Sequence, residues 1–194
     1  MTSSSQRVTV LALLLLLMAA TRVNHFAAVP DASWAVFFIG GFYLRAWTRA
    51  AFPALMALAV AVDWIVIRSM GLDFWQHYCV SPGYWMLLPA YFALWCGGML
   101  LARGYAGASW GVLARAAVLV PLSVAVCHLF AQGGFYWTSA NVADPSVAGW
   151  ARNYAQWFLP YLGTTTLYVA FAAAWQLAAE QVTRLVQAHR QAGS

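Results

Sequence analysis

Long apolar runs alternate with short polar breaks from one end of the chain to the other. At 1.5 Å per residue, a run of about 20 residues spans the roughly 30 Å hydrocarbon layer of a bilayer. The pattern predicts six helices, over 8–23, 34–47, 52–70, 84–102, 110–131 and 154–180, in a single domain covering 1–194. The first run follows Arg7 and resembles a secretory signal, but it offers no clear small-x-small cleavage site after Leu17, so it is read as a helix. The second is short and interrupted by Gly40-Gly41, which predicts a tilted, bent or partly re-entrant segment. Pro121 predicts a kink in the fifth run, and Pro160 falls inside the sixth.

Composition identifies the solvent. Of the 194 residues, 63% are hydrophobic and only 8% charged, with a mean hydropathy of +0.69, whereas soluble domains carry about 25% charged residues. The 11 Trp and 9 Tyr supply rings suited to the headgroup level. The expected fold is therefore an all-α integral membrane protein with six transmembrane helices. All 10 basic residues are arginine. Without lysine, both a P-loop ATPase and a Schiff base to retinal or pyridoxal phosphate are excluded.

The arginines also orient the chain. With both termini cytoplasmic, the inner segments hold seven (Arg7, Arg45, Arg49, Arg103, Arg115, Arg184, Arg190) and the outer ones three (Arg22, Arg68, Arg152), as the positive-inside rule requires. The outer breaks then gather the amides, histidines and aromatic residues, while the inner breaks are mostly arginine, alanine and glycine. A polar ligand with an apolar flank, taken from outside, calls for such a mixture.

Within the outer breaks, Cys79 lies in Gly71-Leu-Asp-Phe-Trp-Gln-His-Tyr-Cys-Val-Ser-Pro-Gly-Tyr-Trp85, two residues from His77. It reads either as a small loop residue or as a soft metal ligand at the water boundary. Cys96 and Cys127, inside apolar runs, read as packing residues. His25, His77 and His128 are expected near the outer boundary. Asp63 interrupts an apolar helix, where a lone carboxylate costs about 2.5–3.5 kcal/mol, and so predicts an ion pair with an arginine such as Arg22 or Arg68, or a ligand role. Gly107-Ala-Ser-Trp-Gly111 matches a nucleophile elbow in letters only, because that motif needs a strand-to-helix turn. Ala57-x-x-x-Ala61, Ala93-x-x-x-Gly97 and Ala170-x-x-x-Ala174 predict helix-packing faces.

Four stretches, Arg22-Val-Asn-His25, Pro30-Asp-Ala-Ser-Trp through Arg45, Asp63-Trp64 and His77-Tyr-Cys-Val-Ser-Pro82, resemble the BtuM family of solitary substrate-binding components related to energy-coupling-factor transporters, which take up cobalamin. The resemblance implies a six-helix S-component bundle in the bacterial inner membrane. It further implies a cobalamin site open to the periplasm and Cys79 as axial cobalt ligand, with assistance to removal of the upper ligand as the associated chemistry. His25, Asp31, His77, Tyr78, Tyr84, Tyr136, Trp137 and Asn141 are the expected pocket residues, chosen by their place in the outer breaks. The Ala-x-x-x-Ala face such components often carry on the first helix has no counterpart in 8–23. The expected partners are thus cobalamin, the lipid bilayer, and an energising module or none, with no nucleic acid. Two other readings stand beside this one: a haem or redox protein with axial histidines from His25, His77 and His128, and an importer of free nickel or cobalt ions through His77 and Cys79.

Overall fold

The computed structural model describes residues 3–23, 30–77, 80 and 82–192. His25, Tyr78 and Cys79 of the expected site lie outside the described residues. Six α-helices follow one another: α1 (Ser4–Arg22), α2 (Ser33–Tyr43), α3 (Thr48–Ser69), α4 (Leu87–Ala102), α5 (Trp110–Thr138) and α6 (Val147–Ala192). Short 3-10 turns occupy Arg45–Trp47, Phe74–Gln76 and Pro82–Met86, and there is no strand among the described residues. Four segments, Ser4–Arg22, Arg45–Ser69, Pro82–Ala102 and Trp110–Thr138, are long and apolar enough to cross a membrane. The chain is a multi-pass, all-α membrane protein.

The short second run forms the core of the bundle. α2 is one uninterrupted helix, about 16 Å long, and nine of its 11 residues are buried. Gly40 and Gly41 do not break it; they let α4 approach. A Cβ on Gly41 would sit 2.0 Å from the carbonyl oxygen of Trp95, and one on Gly98 of α4 would sit 1.9 Å from that of Phe38. Lipid gives two apolar helices no hydrophobic reason to associate, so close backbone packing between small residues supplies the contact. Around this seam Phe37, Phe38, Leu94 and Trp95 are fully buried, and the Trp95 indole donates to Thr48 Oγ1 at 2.9 Å.

The other packing expectations divide. Gly97 packs against α5, where an added Cβ would be 1.9 Å from Ser123 Oγ. Ala57, Ala61, Ala170 and Ala174 are exposed and make no packing face within the chain. Helix ends shift as well. α1 begins four residues early because Ser3 and Gln6 form a reciprocal capping box, and it belongs to the bundle through buried Leu14 and Met18. α5 continues to Thr138, seven residues past the expected end, and is unbroken through Pro121. α6 runs to 46 residues, about 69 Å.

Successive helices alternate in direction, which gives the bundle two ends. At one, the last turn of α1 meets the first turns of α2 and α4 and the final third of α3. At the other, α2, α4 and the 103–109 loop meet the start of α5 and the second half of α6. These are called the Arg22 end and the Tyr105 end.

Candidate functional site

At the Arg22 end a buried polar cluster joins four helices. Arg22, with 6% of its side chain exposed, reaches Asp63 of α3 through two parallel hydrogen bonds, Nε to Oδ1 and Nη2 to Oδ2, each 2.7 Å. Its Nη1 donates to Ser33 Oγ at 3.0 Å, Tyr91 Oη at 3.2 Å and Asp31 Oδ2 at 3.3 Å. Tyr84 donates to Asp63 Oδ2 at 2.7 Å. The planar guanidinium fork suits such a bidentate carboxylate pair. Asp63 is therefore the ion-pair partner of Arg22, while Arg68 lies 5.9 Å from the Trp64 ring centroid.

Each member is held by its own local structure. Asp31 Oδ1 accepts from the backbone N–H of Ser33 at 2.9 Å and from its hydroxyl at 2.6 Å, an Asx turn that starts α2. The Thr21 hydroxyl accepts from Ala32 N–H at 3.1 Å and fixes the chain's re-entry beside α1. Tyr84 sits in the Pro82–Met86 turn, pinned to α5 where Gly83 meets Gly134; a Cβ on Gly83 would be 2.3 Å from the Gly134 carbonyl oxygen. Asp73 Oδ1 caps the Phe74–Gln76 turn by accepting from Trp75 N–H at 2.9 Å.

Of the expected pocket residues, Asp31 joins this cluster through Arg22 and Tyr84 joins it through Asp63. His77 is half-buried, and its carbonyl accepts from Val80 N–H at 2.8 Å. Tyr136, Trp137 and Asn141 form a separate corner between α5 and α6. The Tyr136 hydroxyl accepts from Ser146 N–H at 3.3 Å and Trp137 packs edge-on against its ring, whereas Asn141 is exposed. Tyr136 thus ties two helices together.

His128, in the second half of α5, is 1% exposed and is ringed by Trp34 of the first turn of α2 and by Tyr154, Phe158 and Tyr161. Its Nε2–H donates to the Tyr154 carbonyl at 3.1 Å, which commits that nitrogen to the helix contact. Among the described residues, no three His, Cys, Asp or Glu side chains are grouped to hold a metal ion. Ser109 of the apparent nucleophile elbow is the N-cap of α5, its Oγ accepting from Val112 N–H at 3.3 Å.

Sequence reasoning did not identify Ser33 or Tyr91 as part of the cluster. Tyr91 lies in an almost uniformly apolar run, but Asp31-x-Ser33 is a legible helix-start signal.

The Tyr105 end is built differently. Arg45 Nη1 and Arg115 Nη2 donate to the last carbonyls of α4, Ala102 at 2.9 Å and Leu100 at 2.7 Å. Tyr105 donates to Glu180, which also accepts from Gln176 Nε2 and Ala108 N–H. Burial, followed by Glu180, pushes the Tyr105 hydroxyl up to about 12, so it stays a neutral donor at physiological pH. An apolar cleft of about 460 Å³ opens here between α2, α5 and α6, with Phe38, Phe42, Leu113 and Val169 in its walls. No protein-family model matches the chain, and no curated protein matches it.

Proposed function

We propose that this protein takes up cobalamin across the bacterial inner membrane as a six-span S-component-like bundle with both termini cytoplasmic, receiving the corrinoid at the Arg22 end with Cys79 as axial cobalt ligand. The observation that carries the reading is the convergence of the polar breaks on that end. The breaks after α1 and after α3 meet at the Arg22 cluster, and the segment that contains Cys79 runs between His77 and the Pro82–Met86 turn that delivers Tyr84 to Asp63. Corrinoids present amide side chains around an apolar ring. An end that mixes carboxylates, tyrosines and exposed rings such as Trp75 and Trp85, 76% and 74% exposed, matches that surface.

Within this reading the ion-paired cluster is the frame rather than the grip. Arg22 is engaged in holding α1, α2, α3 and α4 in register. A cysteine thiolate is a strong axial donor to cobalt and alters reactivity at the opposite axial position. The test is to add cobalamin to purified wild type and Cys79→Ser, remove unbound material and record visible spectra. Retained cobalamin with shifted corrin bands in wild type alone is expected; identical spectra would remove Cys79 from the coordination sphere.

A further inference from the structure

The Tyr105 end carries a second groove, of about 510 Å³, on the opposite face of α5 from the apolar cleft. Leu100 of α4 and Ala114, Val118 and Leu119 of α5 form its apolar walls, and Arg103 and Arg115 stand at its mouth. Arg103 follows the last residue of α4 and is exposed. Arg115 is anchored, since Nη2 donates to the Leu100 carbonyl, but a guanidinium has five N–H donors and the others remain. Neither arginine is paired with a carboxylate among the described residues. Exposed Trp110, at the start of α5, is of the type that settles at headgroup level.

We infer that this groove is a binding site for one anionic phospholipid, its phosphate between Arg103 and Arg115 and an acyl chain laid along Leu100, Val118 and Leu119. Both flanking helices belong to segments that meet the criteria for crossing a membrane, so lipid is the medium that reaches the groove from the side. Two cations over an apolar slot complement a phosphodiester on a hydrocarbon chain, and basic pockets between spanning helices are where anionic headgroups bind. The neighbouring cleft supplies a contrast within the same end. Its walls carry no cation, and Tyr43, Gln176 and Tyr105 in them are already hydrogen-bonded, Tyr43 to Gln176 and the other two to Glu180, so it offers an anion no donor of comparable charge. This inference does not depend on what the Arg22 end binds.

The test uses the full chain, delipidated in detergent and titrated with phosphatidylglycerol or phosphatidylcholine, with bound lipid counted by native mass spectrometry. Wild type is expected to prefer phosphatidylglycerol, and Arg103→Gln/Arg115→Gln to bind it about thirtyfold more weakly, as expected for two arginine contacts. Val118→Trp fills the slot without touching charge or the α4 cap and is expected to weaken binding too, while Arg184→Gln, exposed at the same end but outside the groove, leaves it unchanged. An equal loss in Arg184→Gln would mean diffuse attraction to net charge and overturn the site. Equal retention in wild type and double variant would overturn it as well. Displacement by inorganic phosphate would assign the arginines to a free anion and overturn the lipid assignment.

Discussion

Arginine does opposite work at the two ends of the bundle. At the Arg22 end a single buried arginine is consumed by two carboxylates, a serine and a tyrosine. At the Tyr105 end the arginines are exposed; Arg45 and Arg115 neutralise the carbonyls that terminate α4, and Arg103 and Arg184 point to the surface. The difference shows why counting arginines per loop is an incomplete guide to orientation. Arg22, counted with the outer segments, adds no charge to that surface, so the excess toward the Tyr105 end is larger than seven to three.

The sharpest way to break the comparison is to remove the buried charge. Arg22→Leu leaves Asp63 unpaired in a low-dielectric site and is expected to cost about 3–5 kcal/mol, read as a fall in the denaturation midpoint in detergent. Arg22→Leu/Asp63→Leu is expected to recover most of that loss. A comparably large cost for Arg115→Leu would erase the distinction between the ends.

Gly98→Ala strikes the seam that both ends share. Its Cβ would meet the Phe38 backbone at 1.9 Å, and backbone yields less readily than a side-chain tip, so a loss of about 1–3 kcal/mol is expected in the same unfolding assay. Tyr84→Phe removes one donor from Asp63 while leaving the Arg22 pair intact, with an expected cost of about 0.5–1.5 kcal/mol.

The smallest effect belongs to Tyr105→Phe. The folded hydroxyl is held up to about 12 against an unfolded value of about 10. The stability it contributes is therefore fully present below about pH 10 and lost as pH rises through about 12. The difference in unfolding midpoint between wild type and Tyr105→Phe should be constant below that window and shrink across it.

The membrane class and most helix positions are legible in the sequence because apolar run length is a direct readout of the solvent. The Asp63–Arg22 pair is legible for a related reason, since a charge in an apolar run demands a partner. Two elements resist such reading. α2 looks like a poor membrane span because its apolar run is short and carries Gly40-Gly41; only its neighbours reveal that these glycines are contact points. The end of α5 is the other, because the Ala131-Gln-Gly-Gly stretch resembles a loop, yet Gly133 and Gly134 stay helical where they pack against Trp150 and Met86. Grouping residues by break puts Asp31 and Tyr84, which meet at the Arg22–Asp63 pair, in one set with Tyr136, whose hydroxyl serves the α5–α6 corner.

The most direct measurement is labelling of Cys79 by a membrane-impermeant maleimide added to the periplasmic face, with and without saturating cobalamin. Cys127 is buried and Cys96 half-buried, and Cys79→Ser reports their background. Labelling from the periplasm that cobalamin blocks is the expected result. Labelling only from the cytosolic face, or labelling indifferent to cobalamin, would contradict the assignment of cargo binding to the Arg22 end.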